Sequence, residues 1–414
     1  MANRIYLFAA LLFVVLPINV QAMFLLRPYE QMVEPEFQKD FCWQFSILPE
    51  VGFDTVAFNE NGACVNPLQI WNPTQDALKM LEGFDPLSAI GQLRTKIGAN
   101  DDGVRGHFIV NGDFKYHGGV GFSARKGFPY NLCLGVHMPV YSLALQNVQW
   151  INETQNISAD DARVRQYLTN DFFTNVFVLG DGLSLQGWKR AGIGDLTLMG
   201  EWIQEFEQEK EFLHNVRLQA RLGLGFPTGK KADEDKIFAL PFGFDGAYSL
   251  ILGAGLTAEM ACYLRAGVYV ELTHLFSTTQ CRRIKTNINQ TELLLLQKFP
   301  VLKNYGLLQE FNLYAEFHHF FDGFSAKAGY QFFRRGDDNL VIIGNEFSSN
   351  ISNTSLQLEE WTLHQLFLIG SYDLLPEDDC RFVHPYVSLF VKLPFNGQFR
   401  AQQKTVGAVL SVDF

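Results

Sequence analysis

Beyond residue 22 the chain lacks any apolar run near the ~20 residues that a membrane-spanning helix requires. The densest aliphatic patch, Leu293 to Leu296, is far too short. Basic runs stop at two residues and the formal charge is −11, which excludes a nucleic-acid partner, because phosphate binding needs a basic face. Cysteine is scarce. Cys42, Cys64, Cys133, Cys262, Cys281 and Cys380 are irregularly spaced and form no CxxC, so a metal cluster has no support. The histidines are scattered singles apart from His318-His319, and neighbours in a regular strand point to opposite faces and cannot share a metal. No cofactor is expected either. Phe226-Pro-Thr-Gly229-Lys230-Lys231 fails as a phosphate loop, because Leu224 stands where glycine is needed and Lys231 replaces the hydroxyl residue.

What is present points to strands. The chain is 47% hydrophobic and 14% aromatic, with 35 Gly and 38 Phe, a composition that suits curved strands meeting lipid. The first 22 residues read as an export signal: Arg4 is the positive n-region, Ile5 to Leu16 is apolar, and Val20-Gln21-Ala22 offers small residues for cleavage after Ala22. Export permits disulfides, Cys42 with Cys64 or Cys281 with another loop cysteine; burial as free thiols is equally compatible. Met23 to Glu36 reads as a periplasmic lead-in.

Alternation of apolar and polar residues then recurs along the chain. It runs through Phe41 to Ile47, Phe108 to Tyr116, Val120 to Ala124, Leu132 to Met138, and weakly Ser142 to Trp150. It resumes at Leu196 to Phe206, Val216 to Leu224, Tyr248 to Leu256, Cys262 to Leu272, Phe311 to Phe317 and Phe324 to Phe332. The last three are Trp361 to Tyr372, Val387 to Val391 and Lys404 to Phe414. Pro49 to Arg105 lacks a ladder and reads as a long loop or lumen segment, with a helical piece from Thr74 to Glu82. Long connections follow one set of strand ends and short ones the other, as in bacterial membrane barrels. The expectation is therefore an all-β, antiparallel transmembrane barrel of about fourteen strands (12–16), forming one domain over 37–414.

The closing stretch places Val406, Ala408, Leu410, Val412 and Phe414 on one face, with Val409 the exception on the other. It resembles the last strand of Gram-negative outer-membrane β-barrels. That resemblance implies outer-membrane lipid as the surroundings and recognition of Leu410, Val412 and Phe414 by the barrel-assembly machinery. The stretches Gly192-Ile-Gly-Asp-Leu-Thr-Leu-Met-Gly and Arg221-Leu-Gly-Leu-Gly-Phe-Pro-Thr-Gly-Lys resemble barrels of aromatic-compound degradation operons. Those are related to the fatty-acid-transport barrels, with fourteen strands and an amino-terminal plug. The usual plug motif is not evident in Met23 to Glu36.

Asp195, Arg217, Arg221, Arg265, Glu271, Glu316 and Lys327 lie opposite apolar ladders. In a barrel they line the lumen; in a soluble sandwich they face water. The main expectation is a porin or channel that is not an enzyme, passing small solutes across a transverse field from these charges. A plugged structural or adhesive barrel, a hydrophobic-compound transporter and a secreted soluble β-protein are the alternatives. An esterase would need Ser325, His318 and Asn312 to meet on adjacent strands. Oligomeric state is not legible.

Overall fold

The computed structural model describes residues 26–37, 42–97, 106–153, 167–168, 171–260, 263–321, 323–374 and 383–414. The cleavage site after Ala22, Cys262 and Cys380 lie outside these residues. Among them are β1 (Trp43–Phe58), β2 (Cys64–Val65), β3 (Gln75–Asp76), β4 (His107–Phe128), β5 (Leu132–Asn152), β6 (Trp188–Ile193), β7 (Leu196–Glu207), β8 (Leu213–Phe226) and β9 (Ser249–Met260). The chain continues through β10 (Leu264–Leu275), β11 (Thr278–Arg283), β12 (Lys298–Asn304), β13 (Leu308–Phe321), β14 (Phe324–Arg335), β15 (Asn339–Ile342), β16 (Trp361–Asp373), β17 (His384–Gln398) and β18 (Arg400–Asp413).

Twelve strands (β1, β4, β5, β7 to β10, β13, β14 and β16 to β18) form one antiparallel sheet that closes on itself where Trp43–Glu50 of β1 pairs with Gly119–Lys126 of β4. The expected fourteen counted β4 and β5 twice each. Gly118-Gly119 is not a turn: Gly118 sits in a bulge at φ 148° and β4 runs through it, pairing Gly118 with Ser142. Pro139 does not end β5 either. Its carbonyl accepts from Gly194 N on the side where β5 changes partner from β7 to β6. The missing proline N–H would point into that gap, so no ladder bond is lost.

Side-chain orientation is the reverse of a soluble core. Phe45, Leu134, Leu222, Leu252, Leu313 and Leu368 face outward and are exposed, whereas Gln44, Arg125, Glu201, Asn312, Gln331 and Lys392 point inward and are buried. Because the sheet is closed, its apolar band has no second sheet to cover it. On β18 the exception is resolved: Val409 is fully buried inside, while Leu410 and Phe414 are exposed, Phe414 stacking on Phe45 at 5.4 Å.

Both described ends of the barrel sequence, Trp43 and Phe414, lie at the end bearing the short connections (the turn end). The opposite, loop end carries the segments after β1, β5, β8, β10 and β14. The described residues of these loops make defined contacts. β11, β12 and β15 make a three-stranded sheet over Ile284, Val301, Leu340 and Ile342. The segment after β1 wedges between β1 and β4: Asn66 bonds both Gly112 N and O, and Gln69 bonds Val110 O. Pro49 is inside β1, so the long loop starts only after Phe58. Thr74 to Glu82 is not a helix. Asp76 Oδ1 caps Leu78 N and Lys79 N in one 3-10 turn, and Ala77, Met80 and Leu81 are buried in the loop-end core.

Candidate functional site

Residues 26–37, which take in the described part of the Met23–Glu36 lead-in, pack inside the barrel. Leu26, Tyr29, Met32 and Val33 are buried. The segment turns tightly, with Glu30 N and Val33 N donating to Arg27 O and Glu30 O. A buried backbone needs partners for its remaining carbonyls, and barrel side chains supply them. Tyr141 Oη donates to Leu26 O at 2.7 Å, Arg221 to Tyr29 O at 2.8 Å and Arg125 to Pro35 O at 2.8 Å.

Each of its charges meets barrel charges of opposite sign. Arg27 lies between Glu271 and Glu310, 3.4 and 2.6 Å away. Those two carboxylates sit directly opposite each other in the β10–β13 register, where like charges repel, and Arg27 neutralises the conflict. Glu30 binds Lys392 at 2.5 Å and Gln331 at 2.9 Å. Glu34 pairs with Arg221 and, at 3.4 Å, with Arg125 Nε. Glu36 pairs with Arg217 and, at 3.4 Å, with Arg265. These four plug residues were missed from the sequence. A usable signal existed: Arg217, Arg221 and Arg265 crowd one sector of a closed lumen, which calls for acids from elsewhere.

The residues singled out from the sequence divide into three groups. Arg217, Arg221, Arg265 and Glu271 all contact the plug, and Arg221 also bonds Glu201 at 3.1 Å. Glu316 and Lys327 face each other in register at 3.6 Å, on the same inner surface. Asp195 belongs to a loop clasp: its two oxygens accept Gly229 N at 2.9 Å and Phe244 N at 2.6 Å, while Thr228 Oγ1 accepts Leu196 N and donates to Gly194 O. The Gly-Asp-Leu and Pro-Thr-Gly stretches are thus two halves of one fastening. A Cβ on Gly229 would lie 2.4 Å from Phe242 O, which explains the glycine.

Ser325, His318 and Asn312 are not assembled. Ser325 Oγ accepts the His319 backbone N–H at 3.0 Å, His318 pairs with Glu259 at 2.9 Å, and Asn312 donates to Glu310 at 2.7 Å. The two histidine rings do not diverge as a regular strand requires. His319 has φ 48° in an irregular stretch and the ring centroids are 5.7 Å apart. Among the described residues no group of three His, Cys, Asp or Glu is placed to hold a metal, and Cys42, Cys64, Cys133 and Cys281 are free thiols.

Above the plug, toward the loop end, lies a chamber of about 390 Å³. Leu26, Pro28 and Tyr29 lie on its plug side. Tyr141, Leu275 and Leu308 belong to the wall, and Phe238, Leu240, Leu295, Leu340 and Leu358 to the loops. An ionic cluster of Arg282, Lys303, Arg335, Asp245 and Asp338 lines it too. The lumen therefore has two zones: a polar zone filled by the plug, and a pocket of mixed lining, apolar residues beside an ionic cluster, between plug and loops.

The chain is similar to an outer membrane channel from Pseudomonas putida F1 over 94% of its own length and 100% of that chain, with 10% identity and a TM-score of 0.48. It is similar to the Pseudomonas putida toluene transporter TodX at 10% identity and TM-score 0.34, covering 90% of this chain and 89% of that one. For the NanC porin the values are 8%, 0.32, 74% and 98%. No protein-family model and no curated protein sequence matches the chain.

Proposed function

We propose that the protein is an outer-membrane channel for small, mainly apolar molecules, which enter the chamber from the loop end and pass on when residues 26–37 shift. The outward apolar band is what a closed barrel needs in a bilayer, since lipid is the solvent that covers it without cost. The short connections would face the periplasm and the long ones the exterior.

The observation that carries the reading is the chamber seated directly on the plug, more apolar than polar in its lining. A water-filled porin would instead leave the charged inner surface solvated. Here Arg221, Arg217, Arg265 and Glu271 are neutralised by Glu34, Glu36 and Arg27, so the transverse field expected of an open charged lumen is largely quenched.

Planar-bilayer recording and vesicle uptake test this together. The intact protein should pass little ionic current yet accelerate entry of a small neutral aromatic into protein-containing vesicles. Removal of residues 26–37 should raise the current strongly. A large resting current in the intact protein would support the open charged porin instead.

A further inference from the structure

We propose that Tyr141 reports chamber occupancy to the plug. A solute seated in the chamber displaces this side chain, its bond to Leu26 breaks, and residues 26–37 are freed to shift. The inference rests on the reading that small molecules occupy the chamber.

Many barrel side chains hold the plug, but most do so out of a solute's reach. Glu271, Glu310, Arg125, Arg221, Gln331 and Lys392 bond it without lining the chamber. Among the described residues Tyr141 is the barrel residue that does both. Its hydroxyl donates to Leu26 O at 2.7 Å, and it lines the chamber. Leu26 and Pro28 line the same chamber from the plug. They lie flat against β4, where a Cβ on Gly121 would stand 2.8 Å from Pro28 Cγ and 3.3 Å from Leu26 Cδ2. The Tyr141 bond thus sits at the seam between solute and plug.

The far side of Tyr141 is closed by the loop clasp. Its ring meets the edge of Phe242, 5.7 Å between centres and 73° between planes. A Cβ on Gly194 would stand 2.5 Å from Tyr141 Cε2, so the ring fits there because residue 194 is glycine. Phe242 is itself fixed: its N–H donates to Lys230 O at 2.8 Å, and the Arg190 guanidinium stands 5.2 Å from its ring centre. Interiors packed this closely pass a push on instead of absorbing it. The clasp is therefore a backstop, and the push is taken on the plug side, where one hydrogen bond holds the hydroxyl. That bond suits a trigger. A neutral hydrogen bond shifts an equilibrium by roughly two- to tenfold, since both partners bond water when it breaks. The displaced state also gives the solute the room that the ring held, and a ligand shifts a population toward the state it binds better.

The test is planar-bilayer current through the whole protein with and without naphthalene-1-methanol. Binding of the same probe to the protein in detergent is measured alongside, with protein-free micelles as blank. In the wild type the probe should raise the current roughly two- to tenfold. Tyr141→Phe keeps the ring and removes the bond. It should raise the resting current, leave probe binding in place and abolish the further rise. Lys392→Met loosens the plug at another point, so it should raise the resting current and keep the response, which separates reporting from mere support. Should Tyr141→Phe fail to fold, seen as loss of heat-modifiable gel migration, Gly121→Ala decides. Its Cβ pushes Leu26 and Pro28 off the wall and should blunt the response in the same way. A bound probe that leaves wild-type current unchanged, or a full response in Tyr141→Phe, overturns the role of Tyr141 and leaves the channel reading standing. A wild-type protein that binds no probe removes both.

Discussion

Glu30 and Lys392 lie 2.5 Å apart inside the barrel although 362 residues separate them in the chain. The pair joins the plug to the penultimate strand, and both side chains are buried. Glu50 is also within 3.5 Å of the same ammonium, so Lys392 is shared between two carboxylates. Removing one partner of a buried pair costs roughly 3–5 kcal/mol, because the other charge is left stranded. Lys392→Met should therefore loosen the plug and raise single-channel current in planar bilayers. Adding Glu30→Gln should recover part of the closed behaviour. Current at the wild-type level in Lys392→Met would show that this pair does not hold the plug.

Leu252 separates a lipid-facing surface from an ordinary wet one. It is 48% exposed, on β9, and stands in register between Leu222 and Leu272. In water, an exposed Leu→Arg change is close to neutral. In the middle of a bilayer it costs about 2–4 kcal/mol. Leu252→Arg should therefore show a clear loss of stability in urea titrations of protein refolded into lipid vesicles. A change of a few tenths of a kcal/mol would place this face in water.

Asp195 holds the two loops that meet over the chamber. Asp195→Asn replaces an oxygen that accepts a backbone N–H with an amide that cannot, leaving Gly229 N or Phe244 N unmet, at a cost of about 1–3 kcal/mol. The expected result is faster protease cleavage within residues 227–248 with the barrel itself still heat-modifiable. Gly229→Ala should act in the same direction, since its Cβ would meet Phe242 O. Unchanged cleavage in both variants would mean that the clasp does not restrain these loops.

Asp338 sets the acid sensitivity of the loop-end sheet. Burial alone would raise its pKa, but Arg335 and Lys303 outweigh burial and hold it below the ordinary 3.8. The folded pKa is thus lower than the unfolded one. The stabilisation is present above pH 3.8 and is lost as pH falls through the lower folded value. Hydrogen exchange in β12 and β15 should accelerate at that acid end, and Asp338→Asn should remove the pH dependence while raising exchange throughout. Acceleration that begins near neutrality would point to a different group.

Much of the wall was legible in the sequence because a strand repeats every two residues. Leu222, Leu224, Arg217 and Arg221 on β8 show their opposite faces by position alone, and even Val409 on β18 reads as the apolar exception on the polar face. Alternation says which residues share a face. It does not say where a strand ends when glycine or proline falls within it, so β4 broke at Gly118 and β5 at Pro139. Those residues interrupt isolated strands, but a bulge and a change of partner absorb them here. Residues 188–193 and the sheet of β11, β12 and β15 show no alternation in the sequence, since short strands carry too few repeats to show a period.

Alternation and the absence of a long apolar run were enough to define a chain of many two-faced strands. Tertiary structure alone decided which face looks outward, because that depends on the sheet closing at β1 and β4. It also decided what fills the inside. Glu30, Glu34 and Glu36 are ordinary charges in a short polar stretch until the barrel brings Lys392, Arg221 and Arg217 around them. Pairings across hundreds of residues leave no periodic trace in a sequence, since they follow from how the cylinder closes and not from any local repeat.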